Sequence, residues 1–321
     1  MTEEEQTKIE EAQETTSTSE TEEAPKPKTR KKRVRKPRFE ELEGLVSEMK
    51  VFSELIGELS TEYIHAVYGA SQSGKTTLLL QLLYEVSHRT GRPTLLYVTE
   101  GGARRFVDEW EPVYRKMYPL AQVHVRLRRN YKAILRDHGH TVQTAMSGDK
   151  AKSDAAKMKT GGKMTLKRVG EADPSPLMEA VLQEKYAMIV YDSFTEPMTF
   201  FGADQQNFPA RSTAWNLWFI EAMSISDTGN CVVFGVHHMT QNPADPYARE
   251  MMSGGKATRH VSKIQLHVKK FAAKGISNYR KVALVRHFCK PPDVYVNYVK
   301  LTDNGYVDVT EEELERDRAR R

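Results

Sequence analysis

Gly69-Ala70-Ser71-Gln72-Ser73-Gly74-Lys75-Thr76 reads G-x-x-x-x-G-K-T, continued by Thr77, and no other run in the chain narrows its fold so far. The β-branched stretch Ile64 to Tyr68 precedes it and a helical pattern begins near Lys75, the context in which this spacing is a phosphate-binding loop. Backbone N–H groups of a tight loop and of a helix N-terminus must point at phosphate oxygens, so Gly69 and Gly74 stand where a Cβ would obstruct the turn or the close approach. The whole run, Gly69 to Thr77, is expected to cradle ATP. Lys75 would reach the terminal phosphates, and the Thr76 hydroxyl would ligate Mg²⁺.

A phosphate loop at a strand end belongs to an open α/β sheet, and the rest of the chain alternates as such a sheet requires. Strands are expected at Ile64 to Tyr68, Thr94 to Val98, Val123 to Val125, Ala187 to Tyr191 and Cys231 to Val236. Helices are expected at Lys75 to His88, Arg104 to Met117, Pro176 to Glu184 and Ser212 to Ile225. Ile264 to Lys269, Tyr279 to Arg286 and Val294 to Lys300 read as a strand-rich end with antiparallel pairings. The fold class is α/β: a mostly parallel central sheet flanked by helices, with antiparallel strands toward the C-terminus. Asp192 follows the buried strand Ala187 to Tyr191, where it either completes the magnesium site or merely caps a turn. Glu100 follows Thr94 to Val98 and precedes Gly101-Gly102. It either orients a water that attacks the γ-phosphate or is a solvated surface glutamate.

Outside this core the net charge of +5 is unevenly spread. Residues 1 to about 24, rich in Glu, Thr and Ser, have too little to bury and are expected to be disordered. From Lys26 to Arg38 the charge reverses, with Lys28, Arg30, Lys31, Lys32, Arg33, Arg35, Lys36 and Arg38 interleaved by Pro27 and Pro37. That arm is a solvated tail, a contact to nucleic-acid phosphates, or a nuclear import signal if the source is eukaryotic. Residues 39–310 form the expected globular core and 311–321 a charged tail. Between about Asp137 and Asp173 the apolar period vanishes and lysines gather around Gly161-Gly162, which reads as a mobile surface insertion or a basic nucleic-acid contact. No apolar run is long enough to span a bilayer, and the start at Glu3-Glu4-Glu5 does not resemble an export signal. Cys231 and Cys289 lack metal-ligand spacing and are expected as reduced core residues of an intracellular protein, either cytoplasmic and nucleoid-associated or nuclear.

Taken in order, these elements resemble the RecA superfamily of recombination ATPases, most closely its archaeal RadA and RadB branch. The resemblance runs from about Phe52 to Val309. It rests on Gly69 to Thr77, Tyr97-Val-Thr-Glu100-Gly101, Tyr191-Asp-Ser193, Val232 to His238, Gly254-Gly-Lys-Ala-Thr-Arg-His-Val-Ser262 and Lys290-Pro-Pro-Asp293. The double-glycine segment and the Thr-Glu-Gly triplet are the more specific of these. The resemblance implies a RecA-like P-loop core in which Glu100 is the catalytic glutamate, Asp192 the magnesium-side aspartate and His237 the γ-phosphate sensor, where the family has glutamine. It implies DNA-binding loops at Phe200 to Pro209 and Met239 to Ser253, and makes the segment around Pro291 the edge that covers a neighbouring subunit's ATP. Residues 1–38 show no helical DNA-binding domain and residues 25–60 no Phe-x-x-Ala motif, so a RadB-like paralogue is expected rather than a filament-forming strand-exchange enzyme.

The implied function is that of a DNA-dependent ATPase assisting homologous recombination and repair, with ATP and Mg²⁺ as cofactors. Single-stranded DNA, and double-stranded DNA as a further substrate, would contact Arg211, Arg249 and Lys256 beside the aromatics Phe200, Phe201, Phe208 and Tyr247. A recombinase or polymerase and a second copy of the chain are the other expected partners. Two alternatives stand beside this reading. One is a non-catalytic accessory factor in which ATP orders loops and a subunit edge. The other is a relative of the circadian-clock ATPases, which carry paired acids where this chain has Glu100-Gly101.

Overall fold

Apolar residues at consecutive rather than alternate positions mark strands covered on both faces. The computed structural model describes residues 40–100, 103–128, 131–144, 164–168, 174–195, 208–240, 251–253, 258, 260–271, 276–292 and 294–320. In chain order its elements are α1 (Lys50–Ser53), β1 (Ile64–Tyr68), α2 (Lys75–Thr90), β2 (Thr94–Val98), α3 (Ala103–Met117), β3 (Val123–Leu127), α4 (Tyr131–Asp137), β4 (His140–Thr144) and β5 (Met164–Arg168). They continue with α5 (Pro176–Glu184), β6 (Met188–Asp192), α6 (Phe208–Thr228), β7 (Val232–His237), β8 (Met239–Thr240), β9 (Met251–Met252), β10 (Ser262–Lys270), β11 (Tyr279–Arg286), β12 (Val296–Thr302), β13 (Gly305–Val309) and α7 (Glu311–Ala319). β1, β2, β6 and β7 are buried along their whole length, as their largely apolar runs require.

Among the described residues, nine strands form one sheet in the order β13-β12-β11-β10-β1-β7-β6-β2-β3. Every pairing from β3 to β10 is parallel, and every pairing from β10 to β13 is antiparallel. This is the expected mixed sheet, with its antiparallel strands at the C-terminal end. Alternate side chains feed two cores. Leu96, Val98, Val190, Phe234 and Val236 join the cluster with α1 and α2, whereas Leu95, Tyr97, Ile189, Tyr191 and Val233 join the cluster with α4, α5 and α6. α2 carries Leu78, Leu79, Leu80, Leu82 and Leu83, all buried, because it is enclosed rather than laid on a surface. It stops at Gly91, whose φ of 66° is the left-handed conformation that ends helices.

The structure departs from the sequence expectations in four places. α6 opens at Phe208 rather than Ser212, so Phe208 and Pro209 begin a helix instead of ending a loop; proline is tolerated in a first turn because its missing N–H has no helical partner there. Within residues 137–173, β4 and β5 pair antiparallel from His140↔Arg168 to Thr144↔Met164. The β-branched and apolar Thr141, Val142, Thr165 and Leu166 account for this pairing within a lysine-rich composition; residues 145–163 lie outside the described residues, as do residues 1–39. The charged end read as a tail is the helix α7. Its Thr310 and Glu313 form a reciprocal capping box, and Leu314 packs on Ile276 and Tyr279. Finally, Cys231 is buried but Cys289 is exposed, because it follows β11 in a turn rather than lying within a strand.

Candidate functional site

The parallel strands β1, β2 and β6 deliver their carboxyl ends to one side of the sheet, with Tyr97 beside Tyr191 and Val98 beside Asp192 in register. From β1 the chain enters residues 69–74, where Ser73 N–H bonds the Ala70 carbonyl oxygen at 3.2 Å and closes a tight turn. Gln72 and Gly74 have φ of 58° and 91°. A Cβ on Gly74 would run into the Tyr306 hydroxyl, and one on Gly69 into the Val268 backbone carbonyl. Both glycines are thus required by the packing around the loop as well as by its conformation. Ala70, Ser71 and Gln72 form the exposed crown, and Ser73 is buried beneath it.

Lys75 folds back over this loop, its Nζ donating to the Gly69 and Ala70 carbonyl oxygens at 3.0 and 2.9 Å. Burial lowers its pKa, opposed by the negative charges of Asp192 and Glu100. Thr76 Oγ1 donates to Asp192 Oδ2 at 2.6 Å, so the hydroxyl and the acid expected around magnesium meet directly. Asp192 is fully enclosed, and burial pushes it up to about 6 against the pull of that hydroxyl. Thr77 faces inward, its carbonyl accepting from the Tyr114 hydroxyl at 3.3 Å.

Glu100 stands two residues beyond β2. Its Oε1 pairs with His238 Nε2 at 2.8 Å, and that bond, with a second from Ser193, keeps the carboxyl below its ordinary pKa despite burial. The strand ends are tied together beneath it, Thr99 Oγ1 donating to the Ser193 carbonyl at 2.8 Å and accepting from Ser193 N–H at 3.0 Å. Lys75, Thr76, Glu100 and Asp192 line a single cleft of about 360 Å³, together with Phe106, Arg280, Leu301 and Tyr306. Hydroxyl and carboxylate oxygens side by side are the donor set of a hard divalent cation that takes its remaining ligands from water and phosphate.

His237 does not join this group. It ends β7 with its ring fully buried 5.4 Å from Phe194, and among the described residues neither ring nitrogen has a hydrogen-bond partner. Burial drives it down to about 3, so it is neutral. His238, one residue further and therefore turned the other way, is the member of the pair that reaches Glu100. Arg211 falls on α6, whereas Arg249 and Lys256 lie outside the described residues. At the base of the second loop of the resemblance, Met239 and Thr240 pair with Met252 and Met251 as the ribbon β8–β9. Arg280 and Tyr306 were missed because lone polar residues on antiparallel strands carry no spacing signal.

The solved structure titled "Crystal structure of the RadB recombinase" matches 83% of this chain and 100% of its own at a TM-score of 0.50 and 17% identity, a likeness of fold. The chain thus has a RecA/RadA-type fold. No curated protein matches the sequence. A family model described as an AAA domain matches residues 32–244, a span that holds the phosphate loop, Glu100, Asp192 and His238. On that match the chain belongs to the AAA domain family, a nucleotide-binding one.

Proposed function

We propose that this protein is a RecA-type ATPase that binds ATP with Mg²⁺ and couples its hydrolysis to single-stranded DNA in recombination and repair. One observation carries the reading: Lys75, Thr76, Asp192 and Glu100, separated by up to 117 positions in sequence, line the same cleft. Thr76 and Asp192 would hold Mg²⁺, which neutralises phosphate charge when bound. The backbone amides of the loop and of the first turn of α2 bind the phosphates, and Lys75 exchanges its two carbonyl partners for phosphate oxygens. Glu100 accepts a hydrogen bond from the attacking water and orients it. His238, bonded to Glu100, is the residue that a terminal phosphate would disturb first, and it takes the sensor role that the resemblance implied for His237. The DNA part of the reading rests on the resemblance and on the basic residues Arg211, Arg249 and Lys256.

The Glu100–His238 pair also favours a second reading. A carboxylate already engaged by a histidine is a weak base, and in that state ATP could act as a ligand that orders loops for a partner protein. ATP turnover with and without single-stranded DNA, at several salt concentrations, separates the two, with Lys75→Ala and Glu100→Gln as comparisons. Hydrolysis stimulated by DNA and lost in both variants supports the ATPase. Turnover indifferent to DNA and to Glu100→Gln defeats it in favour of the accessory role.

A further inference from the structure

Arg280 belongs to β11 in the antiparallel half of the sheet, yet its guanidinium reaches the phosphate loop of the parallel half. Its Nε donates to the Ser73 carbonyl oxygen at 2.6 Å, and its Nη1 donates to the Ser277 and Tyr279 carbonyl oxygens at 2.7 and 2.8 Å. Arg280 is 6% exposed, and among the described residues it makes no ion pair with a carboxylate. Carbonyl dipoles compensate a buried guanidinium only in part, and a buried charge is costly unless an anion faces it. The side chain also lines the cleft that Gln72, Gly74 and Thr76 line, where the anion to be bound is a phosphate. Its surroundings are fixed. Tyr306 on β13 closes on Gly74 from the same side, and Gln81 of α2 grips Tyr306 by both backbone groups, at 3.0 and 2.7 Å.

We propose that Arg280 is a positioning residue for the nucleotide. It sets the phosphate loop through the Ser73 carbonyl and contributes, from the same chain, a buried positive charge that the phosphates of the ligand neutralise. This inference rests on the phosphate-loop reading of the site. It also separates Arg280 from a packing residue by sign. In the free protein the unneutralised charge is a burden, so an uncharged side chain of similar length should be tolerated there and should fail only when nucleotide binds.

The test titrates ATP with Mg²⁺ into the full chain as wild type, Arg280→Met, Arg280→Lys, Arg280→Gln and Lys75→Ala, with a nucleotide-free melting curve for each. The expected result for Arg280→Met is an unchanged or raised melting temperature without nucleotide and ATP affinity weakened at least about tenfold. KM should rise more than kcat falls, and Arg280→Lys should recover most of the lost affinity. If Arg280→Met does not fold, Arg280→Gln decides, since it keeps a donor for Ser73 and removes the charge. Affinity within about twofold of wild type in the uncharged variants, while Lys75→Ala loses binding, overturns the inference alone. So does an equal fall in melting temperature and affinity in the Met and Lys variants, which would make Arg280 a packing residue. Wild-type ATP affinity in Lys75→Ala overturns the nucleotide reading itself, and this inference with it.

Discussion

Glu100 is held by two partners, His238 and Ser193, whose hydrogen bonds keep its carboxyl pKa below the ordinary value against the pull of burial. An ionised carboxylate of lowered basicity aligns water better than it removes a proton, so under the proposed function its contribution would be one of geometry and charge. Glu100→Gln should lower ATP turnover by about 100-fold while leaving ATP affinity near wild type, measured by single-turnover kinetics beside a binding titration. His238→Ala should let the carboxyl pKa rise, moving the acid limb of the kcat–pH profile to higher pH; a limb that stays in place would show that the pair does not control this group. Gly69→Ala belongs to the same scale. The atom its Cβ would meet is a backbone oxygen of β10, which cannot rotate aside, so about 1–3 kcal/mol of stability and most ATP binding should be lost. Denaturant unfolding with an ATP titration checks both. These loop residues could be read from the sequence because phosphate binding dictates residue type at fixed spacing. The choice between His237 and His238 could not. It turns on where β7 ends, and a shift of one residue reverses which side chain meets Glu100.

Strands β1 and β7 each carry a histidine into the core. His65, stacked 4.5 Å from Phe234 with Nδ1 on the Val233 carbonyl at 3.3 Å, is lowered by burial from 6.5 to about 4, and His237 to about 3. Both are neutral in the folded chain, whereas the unfolded chain protonates them below about 6.5. Because the folded values are depressed, their contribution to stability is fully present above pH 6.5 and is lost as pH falls toward 4 and then 3. They are worth on the order of 3 kcal/mol for His65 and 5 kcal/mol for His237 across their windows. The melting temperature should therefore fall steadily below pH 6.5, and His65→Phe should flatten that slope; an equal slope in the variant would remove His65 from the account. Elements with strong periodicity, such as α2 and the buried parallel strands, were legible because burial on every side imposes apolar runs. α7 was not, since nine mostly charged residues hide a single buried Leu314, and its start is marked only by the pairing of Thr310 with Glu313. The ribbon β4–β5 was concealed in the same way by the lysines around it.

Residues 39–321 make one compact unit, and the cleft draws on both of its halves: Lys75, Thr76, Glu100 and Asp192 from the ends of the parallel strands and the segments that follow them, Arg280, Leu301 and Tyr306 from the antiparallel end. That arrangement ties ligand binding to the stability of the whole unit. A ligand that needs both halves assembled has no site on the unfolded chain. At a concentration 100 times its Kd it therefore adds about 2.7 kcal/mol to the folded state. For a unit of this size the corresponding rise in melting temperature is about 4–5 °C. The rise should appear as the shift of a single transition rather than the separation of an early step, because no part of the cleft survives the loss of either half. Chelating Mg²⁺ should remove most of it, since Asp192 and Thr76 then face the phosphates with no cation between them and the carboxylate repels the ligand. Lys75→Ala should abolish the shift at the same ATP concentration. Differential scanning calorimetry with ATP, with and without chelator, measures all three. If ATP stabilised one transition and left another at its original temperature, the two halves would be binding and unfolding separately, and the cleft as described would not be where the nucleotide sits.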